Sequence, residues 1–195
     1  MNSYQEIKNL VYKFQELGIE QTENETILIG KAPQIGTEAW LNKIYKPLSE
    51  SDLKELENNL NTEIPKQYKD FLRNFSNGLN ILVSTFSLYG LRKNNSRDLI
   101  SNRQPYSIET PNIFERHKNA KESYFYIGAY DWDGSLLFID KETEKIHCCE
   151  RFSAISRYEW NSLEEMIISE ITRIYILFDD KGKEIDEHIP TIPYK

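Results

Sequence analysis

The Ile64-Pro65 pair constrains the chain most, because it divides residues 48–90 (LSESDLKELENNLNTEIPKQYKDFLRNFSNGLNILVSTFSLYG) into two amphipathic helices and an apolar run. Ser49 is placed to N-cap the first helix, with Asp52 as its return partner and Leu53, Leu56 and Leu60 on one face. Proline cannot continue that helix, but its fixed φ suits the first turn of the next. Tyr68, Phe71, Leu72 and Phe75 then recur at i, i+3, i+4 and i+7, giving the second helix an aromatic, apolar face. Asn77-Gly78 offers a left-handed C-cap. The β-branched and aromatic run Leu79 to Leu88 predicts one buried strand that ends in a turn at Tyr89-Gly90. These residues are scaffold, and they imply an α+β domain.

Glu57 ahead of Ile64-Pro65, then Tyr68, Phe71-Leu72, Asn77-Gly78 and Leu88-Tyr89-Gly90, in that order and spacing, resemble the SUKH superfamily of Smi/Knr-like proteins. The resemblance covers roughly Trp40 to Phe178. It implies a single domain over 1–195 with a mainly antiparallel twisted sheet flanked by helices. Within it, residues 1–18 are expected to be an accessory N-terminal helix, 40–178 the core and 181–195 a loosely held tail. The family consists mainly of immunity proteins that protect bacteria from polymorphic toxins, with fungal relatives acting in cell-wall regulation. By resemblance, then, the expected function is a cytoplasmic immunity protein that neutralises a cognate toxin domain by stoichiometric occlusion. The alternative is a regulatory protein–protein adaptor like the fungal relatives. Neither role calls for a cofactor or for enzymatic chemistry.

Charge bears on the partner. A formal charge of −7 argues against direct nucleic-acid binding, which needs clustered Lys and Arg, and suits a basic protein such as a nuclease-type toxin. Net negative charge also serves solubility alone. The N-terminus MNSYQEIKNL lacks an apolar core, and no apolar run is long enough to span a bilayer, so a cytoplasmic address without membrane contact is expected. Cys148 and Cys149 are the chain's two cysteines. As strand neighbours they point to opposite faces, which predicts free thiols.

Around these landmarks, Ser3 to Leu17 reads as one helix with a Ser3/Glu6 capping box, ending at Gly18. Residues 19–25 read as a linker loop, and Thr26 to Gly30 as a short strand. Leu91 to Ser123 is irregular, with a helix expected over Pro111 to Ala120. Tyr124 to Arg151 reads as a β-meander, YFYIGAY, SLLFID and IHCCERF, turning at Asp131-Trp132-Asp133-Gly134 and at KETEK. A last helix begins at Ser162, capped with Glu165, and buries Leu163, Met166, Ile167, Ile171, Ile174, Tyr175 and Phe178.

His117, His147 and His188 are far apart and none lies four residues from another His or Cys. Asp131-x-Asp133-Gly134 opens like a calcium loop but reads as a hairpin turn. The sequence contains neither G-x-S-x-G, GxGxxG nor a P-loop. The remaining function is binding. Trp132 between Asp131 and Asp133 is an aromatic anchor flanked by carboxylates, or a ring folded back over the sheet; Tyr89 and Arg92 are candidates to line the same groove. A weaker alternative is chemistry on a small anion through the basic cluster Arg92, Lys93, Arg97 and Arg103, which also reads as a solvated loop.

Overall fold

The computed structural model describes residues 3–96, 98 and 103–193, with Ser3 by its backbone alone. Among the described residues fifteen elements follow in order, of which four are α-helices and nine are strands. Helix α1 (Ser3–Val11) runs into a 3-10 segment (Tyr12–Leu17), then β1 (Ile19–Gln21), β2 (Ile27–Lys31) and β3 (Trp40–Ile44). Next come α2 (Glu50–Leu60), α3 (Lys66–Asn74), β4 (Leu79–Ile81), β5 (Phe86–Leu88) and a π-helical turn (Thr110–Phe114). The chain continues through β6 (Tyr124–Tyr130), β7 (Leu136–Asp140), β8 (Ile146–Glu150), β9 (Ser153–Trp160) and α4 (Leu163–Tyr175). The nine strands form one antiparallel sheet in sequence order, as expected of an α+β chain with a mainly antiparallel sheet.

Alternation along β6–β8 assigns the two faces. Phe125, Ile127, Leu137, Ile139, Ile146 and Cys148 join the helices in the main core, whereas Tyr126, Phe138 and Cys149 form a smaller cluster on the other side. The adjacent cysteines are thus free, buried and on opposite faces. In α3, Tyr68, Phe71 and Leu72 are fully buried, each contributing roughly 1.5–3 kcal/mol of apolar burial. Helix α1 packs on α4, burying Ile7 and Val11, and Tyr4 stacks on Phe75 at 5.7 Å.

The capping box at α2 is present: Ser49 Oγ accepts from Asp52 N, and Asp52 Oδ2 accepts from Ser49 N. At α4 only the Ser162 half forms, because Glu165 Oε2 accepts from Asn161 N instead. The Ser3 half of the first capping box lies outside the described side chains. Hydrogen bonds from Lys93 and Ser49 hold the Asp52 carboxyl down to about 2 from its ordinary 3.8. A depressed carboxyl contributes stability that is present above its unfolded value and lost as pH falls through its folded one. Asp52→Asn is therefore expected to flatten the fall in stability between pH 3.8 and about 2, measured by urea titration against pH. An unchanged acid limb would refute it.

Four local expectations are corrected. Residues 3–17 are not one α-helix, since Phe14 (φ −95°, ψ 19°) leaves helical geometry to bury its ring. The segment 19–25 is not all linker: Ile19–Gln21 pairs with β2, which the sequence hid because all three residues are exposed. Leu79 to Leu88 is a tight hairpin, β4–β5, whose turn residues Leu82, Val83 and Ser84 all take positive φ (49°, 56° and 85°). Positive φ at Leu and Val is invisible to turn rules built on Gly and Asn. The helix expected over 111–120 is only the turn Thr110–Phe114.

Candidate functional site

The residues that carry the family resemblance come together as a structural lock. Glu57 Oε1 accepts from Ile64 N at 3.1 Å and pairs with Lys69 Nζ at 2.9 Å, fixing the α2–α3 corner. The Tyr68 hydroxyl donates to the carbonyls of Tyr89 and Ile127, tying α3 to β6 and the end of β5. Asn77 bonds both backbone groups of Leu91 (2.7 and 2.8 Å), so it clasps the chain after β5 rather than capping α3, whose C-cap is Phe75. Gly90 is required there because an added Cβ would lie 2.2 Å from Asn77 Oδ1.

The lock leaves Tyr89 facing a groove of about 1020 Å³ on the sheet face opposite the helices. Its floor is Ser87, Ala129 and Leu136, one from each of β5, β6 and β7. A bulge at Ile127 shifts the register of β6 on β7, and this turns Ala129 to that face, where plain alternation along β7 already sets Leu136. One wall is the segment 106–119. It is held there because β5 pairs with only the last three residues of β6, leaving the first half of that strand with an unpaired edge. Asn112 satisfies Tyr126 N and O at 2.9 and 2.8 Å, and Arg116 donates to Tyr124 O at 2.9 Å. His117 bridges from Tyr126 Oη (2.9 Å) to Arg151 O (2.8 Å), joining this wall to the opposite one, the Arg151-Phe152 turn between β8 and β9.

The rim is aromatic and of mixed charge. Tyr106 is 48% exposed and Phe152 84%, with the Arg151 guanidinium 5.0 Å over the Phe152 ring, and Trp132, 41% exposed, stands beside the rim. Arg116, Lys118 and Arg151 meet Glu115 and Asp131 around the opening. Burial, with Tyr106, Glu115 and Asp131 nearby, pushes the Tyr89 hydroxyl up to about 12, so it stays protonated at neutral pH. Tyr89 packs edge-on against Tyr106 at 5.8 Å.

Of the candidate residues read from sequence, Tyr89 and Asp131 line the groove and Trp132 stands beside it at the β6–β7 turn. Asp133 turns back to accept from Ser135 N (2.8 Å) and lies 3.6 Å from Arg157. Arg92 lies away from the groove and donates to Pro105 O at 3.2 Å. Its neighbours in the basic cluster are paired too, Lys93 with Asp52 and Arg103 with Glu20, while Arg97 lies outside the described residues. Sequence reasoning missed Tyr106, Lys118 and Phe152. Phe152 was hidden because Arg151-Phe152 is a two-residue hairpin turn without the usual Asn-Gly or Asp-Gly signal, so it read as strand.

Burial pushes both cysteine thiols up to about 12, which keeps them neutral and poorly nucleophilic. Burial lowers the pKa of His147, whose ring stacks on Phe138 at 4.9 Å. Among the described residues, no three His, Cys, Asp or Glu side chains gather as a metal site, and no helix is long and apolar enough to cross a membrane. In comparison with known proteins, the SMI1 / KNR4 family (SUKH-1) matches residues 47–169, from the loop before α2 into α4. No curated protein matches the chain.

Proposed function

Because the chain belongs to the SMI1 / KNR4 family (SUKH-1), we propose that it is an immunity-type protein that acts in the cytoplasm by binding a cognate toxin domain. It neutralises that domain, a basic nuclease-type protein, by stoichiometric occlusion and without chemistry of its own. The observation that carries this reading is the pair of exposed aromatics, Tyr106 and Phe152, that line an open groove with charges of both signs, with exposed Trp132 beside it next to Asp131. Large aromatic rings left to water on a folded surface are the usual anchors of protein interfaces, and mixed charge on the rim gives register to a partner.

Co-expression with the toxin domain encoded beside this gene tests the proposal. Restored growth and a one-to-one copurified complex are expected. Toxicity that persists with both proteins soluble would overturn it, and a set of unrelated partners would favour the adaptor. Within such a complex, Phe152→Ala is expected to cost about 2 kcal/mol, near 30-fold in Kd, with the unfolding midpoint unchanged. Trp132→Ala should behave alike. Titration calorimetry beside urea denaturation separates binding from folding, and intact affinity in both variants would remove the aromatic rim from the interface.

A further inference from the structure

A second groove, of about 870 Å³, lies beyond the turn at Asp131, between the β4–β5 hairpin tip and the segment after α4. Its base is apolar, with Leu82 and Phe178 buried beneath exposed Ile35, Val83 and Ile185. Carboxylates surround that base: Asp131 on one side, Glu184, Asp186 and Glu187 on the other, against Lys183 and His188. Asp186 accepts from His188 N, and no ion pair ties Asp131, Glu184 or Glu187 among the described residues. Burial, and after it the nearby Glu187 carboxylate, raises the pKa of Glu184.

The groove is formed before any partner arrives. Leu82 N donates to Asn42 Oδ1 (3.0 Å) and Val83 N to Leu41 O (2.8 Å), which holds the hairpin tip with Val83 outward. The other wall is pinned by Ile185 N to Leu177 O (2.9 Å), by Gln34 Nε2 to Lys181 O (3.0 Å) and by Arg173 to Thr191 O (2.6 Å). A wall fixed in this way spares a ligand the cost of ordering it. Ile35 and residues 178–188 fall outside the span matched by the family, whereas Leu82, Val83 and Asp131 fall within it, so the groove joins the shared domain to segments beyond the match.

From this charge complementarity we infer that the groove seats a Lys/Arg-rich segment of a protein partner, with an apolar side chain of that segment set between Ile35, Val83 and Ile185. The cations would meet Asp131, Glu184 and Glu187, and the apolar contact would fix the register that charge alone leaves open. This deepens the immunity reading by naming the chemistry of the segment grasped, and it rests on that reading only for the identity of the partner.

The probe is a fluorescein-labelled peptide, Lys-Arg-Leu-Lys-Arg-Leu-Lys, titrated by anisotropy against the full chain, with a Glu-Asp-Leu counterpart as control. Expected is saturable binding of the basic peptide alone, weakened by salt. Affinity should fall at least tenfold in the double variant Glu184→Gln/Glu187→Gln and again in Ile185→Ser, a side chain 69% exposed and so dispensable for folding. The variant Glu122→Gln/Glu142→Gln, which removes as much charge from other exposed positions, should bind as the parent does. No binding, or equal loss in both double variants, would overturn the inference, the latter because net charge alone would explain it. Copurification with the neighbouring toxin domain separates the two proposals. A parent complex unaffected by Glu184→Gln/Glu187→Gln would sink the groove and leave immunity standing. A parent that forms no complex would sink immunity and leave the peptide result to judge the groove.

Discussion

Asn42→Leu is expected to destabilise the fold by about 3 kcal/mol, with a lower urea midpoint and an unchanged m-value. Asn42 lies on β3 with no exposed surface and spends its whole amide on three distant segments. Its Nδ2 donates to Val11 O and to the Tyr175 hydroxyl, both at 2.7 Å, and its Oδ1 accepts from Leu82 N at 3.0 Å. Leucine keeps the branched shape but leaves the Leu82 N–H, the Val11 carbonyl and the Tyr175 hydroxyl without this partner in the interior. Orphaned groups cost far more than a hydrogen bond yields. The hairpin tip would also lose the bond that holds Leu82 at φ 49°. A variant as stable as the parent would mean that water reaches these groups and that the tip is not held through Asn42.

Gly90→Ala is expected to cost about 2–3 kcal/mol, because its Cβ would lie 2.2 Å from Asn77 Oδ1 and 2.6 Å from Asn77 O. The neighbouring chain has little room to move, since Gly90 N donates to Tyr106 O at 2.9 Å and Ile108 N to Gly90 O at 3.0 Å. Asn77→Ala should cost about 2 kcal/mol on its own by stripping both bonds to Leu91. The two losses should not add. Once the Asn77 amide is gone the nearest clash is relieved, so a double-mutant cycle by urea denaturation should show a coupling above about 0.5 kcal/mol. Strict additivity would mean that Gly90 is constrained by something other than Asn77. The same experiment probes function, because this clasp sets Tyr89 and Tyr106 at the groove.

The two stability predictions and the two grooves stand differently toward the sequence. Helices α2, α3 and α4 and the strands β6–β8 were legible because their signals are local. Leu53, Leu56 and Leu60, or Tyr68, Phe71 and Leu72, mark a buried helix face by spacing alone, and Asp131 to Gly134 marks a turn by its own chemistry. The family resemblance was legible for a related reason: Glu57, Tyr68, Asn77 and Gly90 each answer a fixed backbone demand, so identity and spacing survive as a pattern.

What the chain does with its surface was decided elsewhere. The bulge at Ile127 chooses which side chains face the groove, and a one-residue shift of register leaves no mark in the alternation of YFYIGAY. Phe152 becomes an exposed anchor only because β8 and β9 pair through Arg151-Phe152. The acidic groove joins Ile35, Val83, Asp131 and Glu184, which are far apart in sequence and meet only once the hairpin tip and the segment after α4 have docked. Local periodicity records which residues must be buried. Which exposed residues become neighbours depends on long-range pairing and on unsatisfied strand edges, and that is a property of the folded chain alone.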